Sequence, residues 1–147
     1  MAARLMTAAP AMAKTFPDGG VTAKEVAEVM RAEGYKAEIT KDGAGDAMIL
    51  SGAEGSQFVV LFFGCVKERC TSYQMGAAFA TTTKPGLEKA NEWNTNFRFG
   101  KAYIDEDKDP AIEMDVDAEK GFTTEAISNN LVTWVSVLAS FKKEFGL

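Results

Sequence analysis

The chain has 147 residues, of which 46% are apolar and 25% are charged, and these values are ordinary for one globular domain. Its 16 basic residues are scattered among 21 acidic ones and the net charge is −5, which argues against binding to nucleic acid or to an anionic membrane surface. The sequence contains no histidine, so Ser-His and Cys-His hydrolases and nearly all catalytic zinc sites are excluded.

The first 20 residues are predicted to be a leader and linker, and the folded domain is predicted to span 21–147. Residues Ala2–Ala13 contain Arg4 and end in Ala11-Met12-Ala13, which has the small-x-small form of a signal-peptidase site. This stretch is shorter than a normal signal peptide, so it is interpreted either as the end of one or as an Ala-rich leader. No run approaches the roughly 18 apolar residues of a membrane span, and no membrane insertion is expected.

A first helix is predicted after Val21, because Thr22-Ala23-Lys24-Glu25 has the form of a capping box and Gly34 provides a C-terminal stop. Four strand-like segments with short turns between them follow, which favours an antiparallel meander. They are Tyr35–Lys41, Ala47–Ser51, Gln57–Gly64 and Thr71–Ala80. The third contains the run Phe58–Phe63, which is apolar on both alternating sides, and it is predicted to be a central strand covered on both faces.

Cys65 and Cys70 lie in the turn between the third and fourth of these strands. A disulfide is sterically reasonable there, because residues that flank a tight strand connection can come within bridging range. Two free, partly buried thiols are the alternative, and the spacing alone does not decide between them. Together with the leader-like N-terminus, the pair favours a periplasmic or secreted protein, since disulfides persist in oxidising compartments; a cytoplasmic location is the alternative.

The second half of the chain is predicted to hold a helix, a hairpin and a final helix. Thr83-Lys84-Pro85 opens the helix, with proline near its first turn. Arg98–Asp105 and Pro110–Asp117 form the hairpin, and the last helix runs from about Thr123 to Phe145 with an apolar stripe wide enough to cover the sheet. The predicted fold class is therefore α+β, with an antiparallel sheet covered by helices in the order α-β-β-β-β-α-β-β-α.

An acidic stretch at the predicted hairpin tip invites a calcium-binding interpretation. Asp105, Asp107 and Asp109 match the first three ligand positions of an EF-hand loop. The pattern then fails, because Pro110 and Val116 stand where a glycine and a bidentate glutamate are needed. We interpret the stretch as a solvated hairpin tip and predict no metal site.

Three further carboxylates fall on one side of the second hairpin strand. Glu113, Asp115 and Asp117 alternate with apolar residues, so neighbouring carboxylates are expected about 7 Å apart, within reach of a glycosidase pair. Nothing adjacent suggests a sugar groove. A solvated strand face is the favoured interpretation, and neither catalytic residues nor a cofactor are predicted.

The junction between the second helix and the hairpin is rich in aromatic and hydrogen-bonding residues. Trp93, Asn94, Arg98 and Tyr103 form a candidate binding surface there. The alternative, which we favour, is a capped helix end in which asparagine side chains satisfy free backbone groups and Arg98 pairs with an acidic neighbour.

The same junction resembles a known protein family. Asn91–Asn94, Arg98–Asp105 and Asp109–Val116 resemble the signature of the bacterial YbjN-like family, whose members are described as candidate sensory transduction regulators. The resemblance extends over about Val21–Phe145. Lys108 departs from the glycine expected before Asp109-Pro110.

The cysteine turn adds to this resemblance. Gly64-Cys65 with Cys70, after a Phe-rich strand, resembles the exported branch of the family. The resemblance implies a fold similar to type III secretion chaperones, in the same order of elements that periodicity predicts. It implies no catalytic residues, and a likeness of fold does not assign a function.

Two functions of different classes follow as expectations. The preferred one is a non-enzymatic binding or regulatory module, which engages a protein partner or a second copy of itself through the sheet face or a helix pair. The alternative is a small-ligand sensor whose pocket is lined by Trp93, Phe97, Tyr103 and Trp134.

Overall fold

The computed structural model describes residues 13–147, and the predicted leader, apart from its last residues, lies outside this range. Three helices and seven strands occupy the described part, and all the strands belong to one antiparallel sheet. In chain order the elements are β1 (Val21–Thr22), α1 (Ala23–Ala32), β2 (Glu38–Lys41), β3 (Ala47–Ala53), β4 (Ser56–Val66), β5 (Arg69–Ala78), α2 (Leu87–Asn96), β6 (Lys101–Ile104), β7 (Pro110–Asp117) and α3 (Thr124–Phe145). The predicted α+β class is confirmed, and the short strand β1 is an addition to the predicted order.

The strand order in space is β2-β3-β4-β5-β7-β6, with β1 paired to the start of β5. Strands β2 to β5 form the predicted meander, in which each strand pairs with the next. After α2 the chain returns as the β6–β7 hairpin, and β7 pairs with β5. The hairpin therefore extends the sheet rather than forming a separate layer.

The start of α1 shows why this segment is helical. The Thr22 hydroxyl accepts from the Glu25 amide at 3.1 Å, and the Glu25 carboxylate accepts from the Thr22 amide at 2.9 Å, which is the capping box that the sequence predicts. Both oxygens of Glu25 also accept from the Arg69 guanidinium, each at 3.0 Å, so the helix is tied to β5. Burial raises the pKa of Glu25, but the bonds from Arg69 and Thr22 outweigh it and hold that pKa below its usual range.

Helix α3 provides the long apolar stripe that covers the sheet. Thr123 caps its N-terminus through the Ala126 amide at 3.0 Å, and Gly146 ends it in the left-handed conformation. Trp134 is fully buried and meets the Phe58 ring edge to face at 5.6 Å. Although α3 has 22 residues, no helix within 13–147 combines the length and apolarity that crossing a membrane requires.

All three helices pack on the same face of the sheet, which corrects the prediction for β4. Phe58, Val60 and Phe62 point into the core and are buried, whereas Phe63 on the opposite face is 47% exposed. The strand is central, as predicted, but the prediction that both of its faces are covered is wrong. Its second apolar side lies on a surface that no described element covers.

The segment before Val21 is part of the fold, although a linker was predicted there. Phe16 is buried, and its amide donates to the Phe122 carbonyl at 2.8 Å. Gly20 has a φ of 104°, and a Cβ there would come 1.8 Å from the Cys70 carbonyl oxygen, so only glycine fits. The folded part therefore begins before the predicted boundary, because residues 14–20 fill the space between β5 and the start of α3.

Three predicted elements begin at least three residues late, and one of them is the first hairpin strand, which was predicted to span Arg98–Asp105 and is β6, Lys101–Ile104. Residues 35–37 form a connection instead of the start of β2, because the Tyr35 amide donates to the Met30 carbonyl and the Arg31 side chain donates to the Ala37 carbonyl. Helix α2 begins at Leu87, later than its predicted opening, with Gly86 as its N-cap.

Cys65 and Cys70 are directly opposite each other on β4 and β5, with their sulfur atoms at the bonding distance of 2.04 Å. Of the two alternatives that the spacing leaves open, the structure has the disulfide. The bond crosslinks the two strands next to the turn of the β4–β5 hairpin, where β1 also pairs with β5.

We expect reduction of this disulfide to lower the free energy of unfolding by about 2 kcal/mol, because a short loop in the unfolded chain is then no longer closed. Urea unfolding with and without a thiol reductant measures the change. The double variant Cys65→Ser/Cys70→Ser is the control and should not respond to the reductant. An unchanged unfolding curve for the reduced wild type would contradict the expectation.

Candidate functional site

The candidate binding surface does not come together as predicted, because Trp93 belongs to the core. Its side chain is 2% exposed, and its ring stacks on Phe97 at a centroid distance of 3.9 Å. The indole Nε1 donates to the Gly100 carbonyl at 3.0 Å. Gly100 has a φ of 81°, and a Cβ there would lie 2.6 Å from the Val137 side chain, so the chain passes too close to α3 for a larger residue.

Asn94 has a structural role, whereas Arg98 is exposed to solvent. The Asn94 amide accepts from the Ala102 amide at 2.9 Å and donates to the Ala102 carbonyl at 3.1 Å, so it fastens α2 to β6. The Arg98 guanidinium lies 5.3 Å from the Phe99 ring in an exposed position. The Asn94 contacts agree with the favoured interpretation, in which an asparagine side chain satisfies backbone groups near the helix end. The acidic partner predicted for Arg98 is not among the ion pairs of residues 13–147.

Tyr103 lies on the other side of the sheet from Trp93. It is opposite Ala111, whereas the preceding residue, Ala102, is buried beneath α2. Trp134 is fully buried beside Phe58. The four aromatic residues proposed to line a ligand pocket therefore do not share a cavity, and the crevice beside Trp93 and Phe97 holds only about 10 Å³.

The acidic hairpin tip brings three carboxylates together, with Asp105, Asp107 and Asp109 within 4.8 Å of one another. The Asp105 side chain accepts from two backbone amides of the loop, each at 2.9 Å. Asp109 accepts from the Lys84 ammonium at 2.7 Å and from the Thr81 amide at 3.0 Å. Asp105 and Asp109 therefore have structural roles, because their hydrogen bonds hold the loop in place. Lys108, where a glycine was expected, adopts a φ of 65° in the same loop.

The most extensive candidate surface is the face of the sheet opposite the helices, which we call the open face. Most of its large apolar residues come from β3 and β4, and most of its acidic residues come from β7. The apolar members are Met48, Leu50, Val59, Leu61 and Phe63, with Tyr103 on β6, and the acidic members are Glu113, Asp115 and Asp117, with Glu38 on β2. Directly paired residues in an antiparallel sheet project on the same side, so the pairing fixes this assignment.

Three successive rows of paired residues cross the open face from apolar to acidic. Each row starts at a large apolar side chain on β4, passes a small or polar residue on β5 and ends at a carboxylate on β7. The rows are Val59–Gly76–Glu113, Leu61–Gln74–Asp115 and Phe63–Ser72–Asp117. Strand β5 is therefore a shallow valley between an apolar ridge and an acidic one.

The valley deepens at one end, where glycines replace side chains. A depression of about 550 Å³ is lined there by Leu50, Gly52, Val59 and Gly76, together with neighbouring backbone. Leu50 is 37% exposed at its rim. The depression is large enough for apolar side chains of a partner, and its charged lining residues are Lys36 and Glu38, on the side of β2.

The acidic ridge is only partly neutralised. Lys101 pairs with Glu113, and this hydrogen bond raises the pKa of Lys101. Gln74 donates to one oxygen of Asp115 at 2.8 Å. Within residues 13–147, neither Asp115 nor Asp117 has a cation within salt-bridge distance.

The sequence predicts the acidic side of the open face but not the apolar ridge beside it. The wet face of β7 was predicted from its alternation, and the exposure of Asp115 and Asp117 confirms it. The apolar ridge was assigned to a buried layer. The available signal was the small number of helices, since three helices that cover one face of a wide sheet leave none for the other.

We expect the Asp109 carboxylate to make folding more stable at neutral pH than in acid. The Lys84 ammonium and the Thr81 amide hold the pKa of Asp109 below its usual value of 3.8. A carboxyl whose folded pKa is depressed stabilises the fold above its unfolded pKa, and this contribution is lost as the pH falls through the folded pKa. The difference in unfolding free energy between wild type and Asp109→Asn should therefore shrink below about pH 4.

Urea unfolding at a series of pH values measures this difference. Asp107→Asn is the matched control, because Asp107 is an exposed carboxylate in the same loop. A difference for Asp109→Asn that stays constant from pH 7 to pH 3 would be inconsistent with the ion pair.

Comparison with known proteins agrees with the resemblance seen in the sequence. No curated protein matches the chain. Residues 22–147 match the model of the YbjN family, whose description is "putative bacterial sensory transduction regulator". This match covers nearly the whole described fold, including the open face and the disulfide hairpin. The chain therefore belongs to the YbjN family.

Proposed function

We propose that this chain is a non-enzymatic regulatory module that binds another protein through its open face. The observation that carries the proposal is a continuous apolar ridge on the side of the sheet that the helices leave uncovered. Its outermost side chain, Phe63, is 47% exposed, and Leu50 is 37% exposed. Large contiguous apolar surfaces on soluble proteins mark interaction sites, because leaving them in water is unfavourable.

The family description supports a regulatory rather than an enzymatic role. The chemistry of the described residues is in keeping with it. The carboxylates of the open face lie on a wide strand surface rather than in a cleft, and Glu113 is already paired with Lys101. An acid–base pair would need a water-excluding site in which one pKa is raised.

Binding through the sheet has more support than binding through a helix pair. The apolar stripe of α3 is buried in the core, where Leu131, Trp134 and Leu138 are at most 2% exposed. Val132 is 66% exposed on the outer side of α3, but it is isolated among polar residues. The ligand-sensor alternative has no support from the placement of its four aromatic residues.

The test is site-specific photo-crosslinking in the native host. A photoreactive phenylalanine replaces Phe63 on the open face or Val132 on α3, and the adducts are identified by mass spectrometry. We expect a discrete protein adduct from position 63 and none from position 132. The purified partner should then bind Leu61→Gln at least about tenfold more weakly than wild type, since a buried apolar contact is lost.

Val132→Gln is the matched control, because it replaces an exposed apolar residue outside the open face. Equal adducts from both positions, or equal affinities of wild type and Leu61→Gln, would overturn the proposal.

We also propose that the mature protein is exported to the periplasm or secreted. The support is the Cys65–Cys70 bond, because such bonds persist in oxidising compartments, together with the signal-peptidase-like sequence at Ala11-Met12-Ala13. Intact mass of the native protein, alkylated before and after reduction, tests both parts. Protein with an uncleaved N-terminus and two alkylated thiols before reduction would refute export.

A further inference from the structure

We propose, on the basis of the function above, that the partner offers an amphipathic helix with a row of Lys or Arg along one flank. This helix lies along β5, with its apolar side on the β3–β4 ridge and its basic flank over β7. The observation behind it is the order in which apolar and acidic residues follow one another across the open face. All three rows run in the same direction, from a large apolar residue to a carboxylate.

The dimensions of the face fit a single helix. Neighbouring strands lie about 4.8 Å apart, so β4 and β7, on either side of β5, are about 10 Å apart. That separation is close to the diameter of an α-helix with its side chains, about 10–12 Å. The three rows repeat about every 7 Å along the strands, so they span between two and three turns of a helix.

The valley provides the volume that such a helix needs. Gly76 has no side chain and Ser72 has a small one, so β5 is low in the first and third rows, whereas in the middle row the Gln74 side chain leans towards β7 and donates to Asp115. The depression of about 550 Å³ at the Gly76 end can accept apolar side chains from the partner. A helix that follows β5 therefore contacts the apolar ridge without a clash.

The carboxylates on β7 determine that the flank of the partner helix above them is basic. Asp115 has one oxygen engaged by Gln74, and Asp117 has one oxygen engaged by the Glu119 amide at 3.1 Å. Their remaining oxygens have no cationic partner among the ion pairs of residues 13–147. A Lys or Arg flank supplies that charge at the moment of binding and increases the association rate.

The same charges argue against a second copy of this chain as the occupant. Lys101 is already paired with Glu113, and the other cation of the open face, Lys36, lies at the depression next to the carboxylate of Glu38. When two open faces are brought together, one Lys36 from each copy is therefore too little to neutralise Asp115, Asp117 and Glu38 of the facing copy, and unpaired carboxylates in an interface are unfavourable. Addition of a partner strand at the β2 edge is disfavoured as well, because that strand has only four residues and bears Glu38 and Lys41 at its ends.

The experiment uses three synthetic helical peptides of 18 residues with the same leucine-rich face. They differ in one flank, which carries lysine in the first peptide, glutamine in the second and glutamate in the third. Each peptide bears a fluorescent label, and its binding to the full chain is measured by anisotropy titration at low and moderate salt. We expect the lysine peptide to bind tightest and the glutamate peptide weakest. Asp115→Asn/Asp117→Asn should weaken the lysine peptide by about threefold to tenfold and leave the glutamine peptide nearly unchanged.

Two control variants separate the open face from general attraction to an acidic protein. Glu28→Gln/Glu144→Gln removes two exposed carboxylates from the helices and should have little effect on any peptide. Val132→Gln should bind like wild type, whereas Leu61→Gln should weaken all three peptides by about tenfold. Circular dichroism of each variant shows that the fold is retained.

The outcomes distinguish this inference from the proposed function. If all three peptides bind equally and Leu61→Gln weakens each of them, the basic flank is wrong and open-face binding stands. If Glu28→Gln/Glu144→Gln weakens the lysine peptide as much as the β7 variant does, the attraction is general and the inference is overturned. If no peptide responds to Leu61→Gln, both the inference and the open-face proposal are contradicted.

Discussion

The packing of all three helices against one face of the sheet is the interaction on which the rest of the structure depends. Trp134 and Phe141 of α3 are fully buried there, and Phe141 contacts both Phe79 of the segment after β5 and Trp93 of α2. Because burial of apolar surface is the main stabilising term in folding, the helices concentrate on the face where these large side chains meet. The opposite face of the sheet is left to solvent or to a partner.

Specific polar contacts then fix the parts of the chain that burial alone would leave loosely placed. The Glu25–Arg69 pair ties the first turn of α1 to the disulfide hairpin, and the Asn94 amide ties α2 to β6. Asp109 ties the start of β7 to the segment before α2. Each contact joins residues that helix or strand hydrogen bonding does not bring together, so these elements are crosslinked behind the open face. A rigid surface loses less conformational entropy on binding than a mobile one.

The open face combines two ordinary features into an unusual surface. An acidic strand face is normally a solvated one, and a half-buried apolar strand is normally an incompletely covered core. Here Val59, Leu61 and Phe63 lie two strands away from Glu113, Asp115 and Asp117, with the small or polar residues of β5 between them. Because the apolar side and the acidic side are on opposite sides of β5, a partner must match both of them and can bind in one orientation across the strands.

The sequence by itself determined the three helices and the six longer strands, although not all of their ends, because the signals for these elements are local. The capping box at Thr22, the alternation in β7 and the stripe of α3 each depend on residues a few positions apart, and all three are confirmed. Only the tertiary structure decided which face of β4 is covered, since Phe62 and Phe63 are chemically equivalent in the sequence. It also decided that Trp93 is core while Tyr103 is surface, because the two residues lie on opposite sides of a sheet whose pairing is set by long-range contacts.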